Sequence, residues 1–164
     1  MKTFADMVKN IPQNEQKIFP EDGIVKGRFK IAKADDDRRL AFGWANISID
    51  AEGNQLEDWQ HDMIDPEDLE DAAYKFVRFY REGGEMHERG GCAECVESCV
   101  FTDEKMAAMG IPSGTLPIGW WLGFYVTDDA VWAKVKSGEY PMFSIEGTAQ
   151  RVPVKEDEAA AQEN

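Results

Sequence analysis

The chain has 164 residues, which suffices for one domain with a single core and is too short for two ordinary domains. Its 43% hydrophobic and 30% charged residues are typical of a globular protein, and no apolar run is long enough to span a membrane. A formal net charge of −14 opposes binding to phosphate backbones and anionic lipids, which excludes nucleic acid and membranes as first candidates for a partner and favours basic protein segments.

The first part of the chain is polar and contains two prolines, so we predict a flexible N-terminal arm over residues 1–22. Residues 24–32 and 40–50 are rich in strand-forming side chains, and the second of these predicted strands ends in turn residues at 51–54. The domain is therefore expected to begin at residue 23 with two strands.

A helix is predicted next. Asp65 is a suitable N-cap, and Pro66 suits the first helical position. Apolar residues then recur every three or four positions as far as Tyr80, which is typical of an amphipathic helix. Gly83 and Gly84 are expected to stop it.

The second half alternates strands and helices and ends in an acidic tail. The predicted strands are residues 94–101, 117–126 and 141–152, and the predicted helices are residues 102–109 and the segment from Thr127 or Asp128 to Gly138. We expect one domain over residues 23–154 and an acidic C-terminal tail over residues 155–164. Strands outnumber helices, so the class is α+β or a β-barrel with helices outside.

Three cysteines, an odd count, favour a reducing cytosol over a disulfide framework. The N terminus also lacks the apolar core of a signal peptide. We therefore expect the protein to remain in the cytoplasm in which it is made.

One serine and one histidine form a candidate catalytic pair. Ser144 lies in Phe143-Ser-Ile-Glu-Gly147, and His87 follows the two glycines. Imidazole has the right pKa to accept the proton of a serine hydroxyl, which is otherwise a weak nucleophile. Chance also supplies such a pair in a chain of this length, so spacing alone favours a surface histidine and a serine on a sheet face.

The cysteines have the spacing C-x2-C-x3-C. Cys92, Cys95 and Cys99 together with His87 could complete a tetrahedral zinc site. However, a strand from residue 94 would put Cys95 and Cys99 on one face about 13 Å apart, which prevents both from reaching one ion. We therefore predict small buried or half-buried thiols, with no metal and no cofactor.

Carboxylates alternate with a histidine in Asp58-Trp-Gln-His-Asp62, and Asp65 follows. This pattern resembles a metal-binding loop, but it lacks the glycine that a calcium-binding hand has at its turn. We expect a loop that is capped by its own carboxylates and leads into the helix.

Several segments, taken in chain order, resemble one protein family. They are Ala41-Phe-Gly-Trp-Ala45, Asp58-Trp-Gln-His-Asp62, Glu70-Asp-Ala-Ala-Tyr74, Gly84-Glu-Met-His-Glu88, Val96-Glu-Ser98, Pro117-Ile-Gly-Trp-Trp121, Val126-Thr-Asp-Asp129, Lys134-Val-Lys-Ser-Gly138 and Phe143-Ser-Ile-Glu-Gly147. This ordered combination, from about residue 24 to 150, resembles the XkdF-like phage serine proteases, relatives of the caudoviral prohead proteases and remotely of the herpesvirus assemblins.

The resemblance implies a mostly antiparallel β-barrel of the prohead-protease or assemblin type, flanked by helices. It implies a serine endopeptidase that cleaves scaffold, capsid-protein extensions and itself inside the immature prohead, in the cytoplasm of the bacterial host. Its partners would be the phage scaffold and major capsid protein, and self-association is expected. The alternative is a catalytically inactive scaffold or capsid-assembly protein with the same fold. A zinc-binding interaction module is a third hypothesis.

The resemblance also implies site residues. The nucleophile of the family falls on Ser144 and its histidine on His87. Glu97 and Glu146 are both candidates for the third, orienting member; we expect Glu97 to matter more, because Glu146 lies too near the nucleophile. The family usually has glycine where this chain has His61, so His61 is not assigned a catalytic role.

Overall fold

A computed structural model describes residues 31–35, 38–58, 61–86, 88–145, 147 and 149–152. The predicted arm, the predicted tail and most of the predicted strand at residues 24–32 lie outside these residues. Within them, no helix is both long enough and apolar enough to cross a membrane.

The described residues form five strands and three helices. In chain order these are β1 Ile31–Asp35, β2 Leu40–Ile49, α1 Pro66–Phe79, β3 Glu82–Glu85, β4 Arg89–Phe101, α2 Asp103–Ala108, β5 Ile118–Val126 and α3 Asp129–Ser137. All strand pairs are antiparallel, and the strand order in the sheet is β1-β2-β5-β4-β3. The sheet curls into a half-barrel. The prediction of an α+β fold built on an antiparallel sheet is confirmed.

Local signals determine most of the helices. Pro66 begins α1, although the Asp65 side chain makes no capping hydrogen bond. Thr102 caps α2 by accepting a hydrogen bond from a backbone N–H of that helix. Asp128 caps α3, and Gly138 ends it at a φ of 77°. The left-handed backbone at Gly138 carries no steric penalty for glycine, which explains why the helix ends at this position.

The prediction that Gly83 and Gly84 stop α1 is wrong. The helix ends at Phe79, and both glycines belong to β3. A Cβ atom at Gly84 would lie 2.7 Å from the carbonyl oxygen of Arg89, and one at Gly83 would lie 3.0 Å from the Cβ atom of Ala93. The glycines therefore allow β3 to lie close against β4, which begins at residue 89 rather than 94.

The predicted strand at residues 141–152 is also wrong, since its described residues contain one isolated bridge position, at Met142, and no strand. Pro141 has no N–H group to donate to a ladder. Its carbonyl oxygen instead accepts a hydrogen bond of 2.6 Å from the backbone N–H of Ile31, at the start of β1. Pro141 therefore contacts the edge of the sheet at β1, and the described residues after it form no strand.

The two faces of the sheet carry separate clusters of buried side chains. On the first, which we call the helix face, Trp120 and Phe124 of β5 pack against Phe76 of α1, with ring centroids 5.4 and 6.3 Å apart. On the second, which we call the Trp44 face, Trp44 lies edge-to-face with Phe101 and Trp121 at 5.7 and 5.5 Å. Such ring pairs contribute about 0.5–1.5 kcal/mol each beyond their buried area.

Candidate active site

Ser144 lies outside the helices and strands, in the segment that follows α3, and is exposed to solvent. The preceding residue, Phe143, is half-buried, and its ring packs edge-to-face on Phe124 with centroids 5.4 Å apart. Phe143 therefore anchors the segment to the helix face, while the next side chain stays accessible. A hydroxyl that attacks a polypeptide must be accessible in this way.

Both ends of this segment are attached to other parts of the fold. At its start, the Tyr140 hydroxyl donates a hydrogen bond of 2.7 Å to the Glu85 carboxylate of β3. At its end, Arg151 Nε donates one of 2.8 Å to the carboxylate of Asp62, in the loop before α1. The position of Ser144 is therefore set by contacts far away in sequence.

His87 lies outside the described residues, but the residues on either side of it are described. β3 ends at Glu85 and β4 begins at Arg89, and the backbone N–H of Glu88 donates to the carbonyl oxygen of Glu85 at 3.0 Å. Met86 has a φ of 50°, in the left-handed region that a residue other than glycine rarely adopts. In chain order His87 thus falls between two strands that pair with each other.

Three donors converge on the carboxylate of Glu85. One oxygen accepts from Lys134 Nζ at 2.9 Å and from the Tyr140 hydroxyl at 2.7 Å. The other accepts from Arg89 Nε at 2.7 Å. The hydrogen bond from Lys134, followed by those from Tyr140 and Arg89, lowers the pKa of Glu85 to about 2. Glu85 is therefore ionised at neutral pH and is not a proton-transfer group.

Arg89 connects this carboxylate to the start of α3. Its Nη1 atom donates to the carboxylate of Asp128 at 3.0 Å. The other oxygen of Asp128 accepts the backbone N–H groups of Ala130 and Val131, at 2.8 and 3.0 Å. The hydrogen bond from Val131, followed by that from Arg89, lowers the pKa of Asp128. The β3–β4 hairpin and α3 are thus joined by two ion pairs.

Only part of this network has a signature in the sequence. Glu85 and Arg89 have opposite charges and lie two residues before and two residues after His87. This pattern could have indicated a salt bridge at the base of the connection. Nothing local indicates Lys134 or Tyr140, which lie 49 and 55 residues from Glu85.

Of the two candidates for the orienting carboxylate, Glu97 is described and Glu146 is not. Glu97 lies on β4, and its carboxylate accepts a hydrogen bond of 2.8 Å from Trp121 Nε1. Because Trp121 packs on the Trp44 face, Glu97 points to the side of the sheet opposite Phe124 and Phe143. Its role as the third member stays a prediction, and its observed contact is structural.

The cysteines do not share one face, contrary to the expectation for Cys95 and Cys99. A β-bulge lies between Cys95 and Glu97. As a result Cys95 pairs with Phe124 on the helix face, whereas Cys99 pairs with Trp121 on the Trp44 face. Because the bulge reverses the alternation of side chains, these two thiols cannot ligate a common ion.

The Asp58–Asp62 loop is capped by its own carboxylate, as expected. The Asp58 side chain accepts the backbone N–H of Asp62 at 3.0 Å, and the Asp58 N–H donates to the carbonyl oxygen of Asp62 at 2.9 Å. His61 lies in this loop at a φ of 60°, with Nδ1 3.0 Å from the Glu57 carboxylate. Glycine would adopt this backbone without strain, in keeping with the glycine that the resemblance implies for this position.

A comparison with known protein families finds a match over residues 28–153, to the family described as "Putative phage serine protease XkdF". The chain belongs to this family. The predicted resemblance is confirmed, and the match includes both Ser144 and His87. The description of the family indicates a phage serine protease. The substrates and the catalytic residues are proposed below.

A search of curated proteins finds a similar one, "Uncharacterized protein YqbD" of Bacillus subtilis (strain 168). It is 28% identical over 137 residues, which cover 81% of this chain and 38% of the relative. The chain thus spans well under half the length of that protein. No solved structure matches the chain.

Proposed function

We propose that this chain is a serine endopeptidase that acts in phage prohead maturation, with Ser144 as nucleophile and His87 as base. Membership of the XkdF family supports the reaction class. The observation that carries the assignment of residues is the 2.7 Å hydrogen bond between Tyr140 and Glu85. It joins the segment that contains Ser144 to the hairpin that contains His87, although the two lie far apart in sequence.

In the proposed mechanism, Ser144 attacks the scissile carbonyl carbon while His87 accepts the hydroxyl proton. His87 then returns this proton to the leaving amine, and water hydrolyses the acyl-enzyme by the same route. Of the two candidates for the orienting carboxylate, Glu97 already accepts a hydrogen bond from Trp121 on the Trp44 face, so the proposal takes Glu146 and keeps Glu97 as the alternative to be tested. The curled sheet, whose two edges both contact residues 140–141, supports a barrel of the assemblin type.

The proposed substrates are the scaffold, capsid-protein extensions and the protease itself, inside the prohead in the host cytoplasm. The net charge of −14 favours approach by basic segments of the scaffold or the major capsid protein. Because salt screens such attraction beyond about 8–10 Å, we expect cleavage of a basic scaffold peptide to slow as ionic strength rises. Self-association at the concentration reached in a prohead would confine activity to that compartment.

The test is to incubate the protein with the scaffold and major capsid protein of its own phage and to sequence any new termini. Ser144→Ala should abolish cleavage and labelling by a fluorophosphonate probe. Ser113→Ala, at an exposed turn, is the control and should retain both. If the wild-type protein is neither labelled nor active at high protein concentration, the chain is a scaffold or assembly protein with a protease fold.

A further inference from the structure

We infer that Glu85 is a positioning residue, which holds the hairpin containing His87 against the segment containing Ser144. This inference rests on the proposed function. Glu85 is the last residue of β3, and its side chain is 15% exposed. It receives hydrogen bonds from three other parts of the structure: Arg89 at the start of β4, Lys134 on α3 and Tyr140 before Ser144.

The three contacts have distinct effects on the geometry of the site. The bond from Arg89 crosses the base of the connection on which His87 lies, so it constrains the hairpin. The bond from Tyr140 comes from a residue four positions before Ser144. Lys134 Nζ also lies 2.9 Å from the Tyr140 hydroxyl, so α3 holds the donor in place. A change at Glu85 would therefore alter the relative position of the two proposed catalytic segments.

A second, chemically equivalent trio lies elsewhere in the fold. The Tyr74 hydroxyl donates to the Glu70 carboxylate at 2.6 Å, and Lys105 Nζ donates to the same oxygen at 2.8 Å. The lysine also lies over the tyrosine ring in both trios, at 5.7 Å here and at 4.9 Å for Lys134 over Tyr140. This trio joins α1 to α2, and among the described residues none of its hydrogen bonds reaches the strands β3 and β4 at their Glu85–Arg89 ends or the segment after Tyr140. It is a matched control for the chemistry of the interaction.

The experiment compares four single variants: Glu85→Gln and Tyr140→Phe at the proposed positioning site, and Glu70→Gln and Tyr74→Phe at the control trio. We expect similar small losses of melting temperature in both pairs. With a scaffold-derived peptide, we expect kcat to fall about tenfold or more in the first pair with KM changed less than about twofold, because misplaced groups lose transition-state interactions. The control pair should keep kcat within about twofold of wild type. Tyr140→Phe removes one hydroxyl and tests the inference even if Glu85→Gln fails to fold.

Equal kcat in the two pairs would overturn the inference. A second measurement distinguishes a failure of this inference from a failure of the proposed function. Hydrogen–deuterium exchange of backbone amides in residues 142–147 should be faster in Glu85→Gln and Tyr140→Phe than in wild type, and unchanged in Glu70→Gln and Tyr74→Phe. If the wild-type protein proves inactive, faster exchange in the first pair alone still supports the positioning role of Glu85. Unchanged exchange in all four variants refutes it whatever the activity.

Discussion

Tyr140 and Glu85 are joined by a hydrogen bond of 2.7 Å that spans 55 positions of sequence. Glu85 lies on β3, one edge of the sheet, while the neighbour of Tyr140, Pro141, accepts a hydrogen bond from Ile31 on β1, the opposite edge. Two consecutive residues before Ser144 therefore contact both edges of the curled sheet. The geometry of the candidate site depends on this attachment and on the close approach of β3 to β4.

The first prediction concerns acid stability. The pKa of Glu85 is lowered to about 2 in the folded protein, against about 4.3 for an ordinary glutamate. The contribution of the ionised Glu85 carboxylate to the free energy of unfolding is thus fully present above about pH 5 and is lost as the pH falls towards 2. We expect the melting temperature of Glu85→Gln to fall less than that of wild type between pH 6 and pH 3. Glu139→Gln, at an exposed position, should follow the wild-type curve; a Glu85→Gln curve that does the same would contradict the prediction.

The second prediction concerns Gly84, one of the two glycines of β3. A Cβ atom at Gly84 would lie 2.7 Å from the backbone oxygen of Arg89, whereas one at Gly90 would meet nothing nearer than the Glu82 carboxylate at 3.9 Å. Because the backbone must shift, Gly84→Ala should lower the free energy of unfolding by about 1–3 kcal/mol. Gly90→Ala is the control and should be close to neutral in urea unfolding. Equal effects of the two substitutions would mean that β3 and β4 separate easily.

The third prediction concerns His61, which is 73% exposed and adopts a φ of 60°. A non-glycine residue in this conformation costs about 1–2 kcal/mol. Both substitutions lose the contact with Glu57, but His61→Gly removes the backbone cost whereas His61→Ala keeps it. We therefore expect His61→Gly to be more stable than His61→Ala by about 1 kcal/mol in chemical unfolding. Both should retain cleavage, unlike His87→Ala; loss of cleavage in both would point to His61 as a catalytic group.

The fourth prediction concerns the cysteines. Burial raises the pKa of the Cys95 and Cys99 thiols, so little thiolate exists at neutral pH. We expect slow alkylation by iodoacetamide in the native protein and rapid alkylation in denaturant. Replacement of Cys92, Cys95 and Cys99 together by serine should leave cleavage largely intact. Stoichiometric zinc by mass spectrometry, or a sharp drop of melting temperature with a chelator, would contradict this, because structural zinc stabilises the fold directly.

The fifth prediction concerns Glu97, which sequence reasoning favoured over Glu146 as the orienting carboxylate. Its observed partner is Trp121 on the Trp44 face, away from Phe143. Since glutamine can still accept this hydrogen bond, we expect Glu97→Gln to keep cleavage within about threefold of wild type and to change stability by less than about 1 kcal/mol. A tenfold loss of cleavage at unchanged melting temperature would instead assign Glu97 a catalytic role.

Elements that depend on neighbouring residues can be predicted from the amino-acid sequence. Pro66 begins α1, and Asp128 and Gly138 bound α3, because capping and backbone conformation involve only a few adjacent positions. The strands at residues 40–49 and 118–126 follow from their composition for the same reason. Ser144 and His87 were proposed from resemblance, since one serine and one histidine carry little information by spacing alone.

Features that depend on contacts between distant residues emerge only in the folded protein. By local pattern, Gly83 and Gly84 predict the end of a helix. In the folded protein they lie in β3, where the close approach of β4 leaves no room for a Cβ atom. The bulge after Cys95 reverses the alternation of β4, so Glu97 lies on the Trp44 face, opposite Phe143. No local sequence pattern indicates the hydrogen bond between Tyr140 and Glu85, since 55 residues separate them. Hydrogen bonds and packing between remote segments have no fixed sequence spacing, so they are determined when the chain folds.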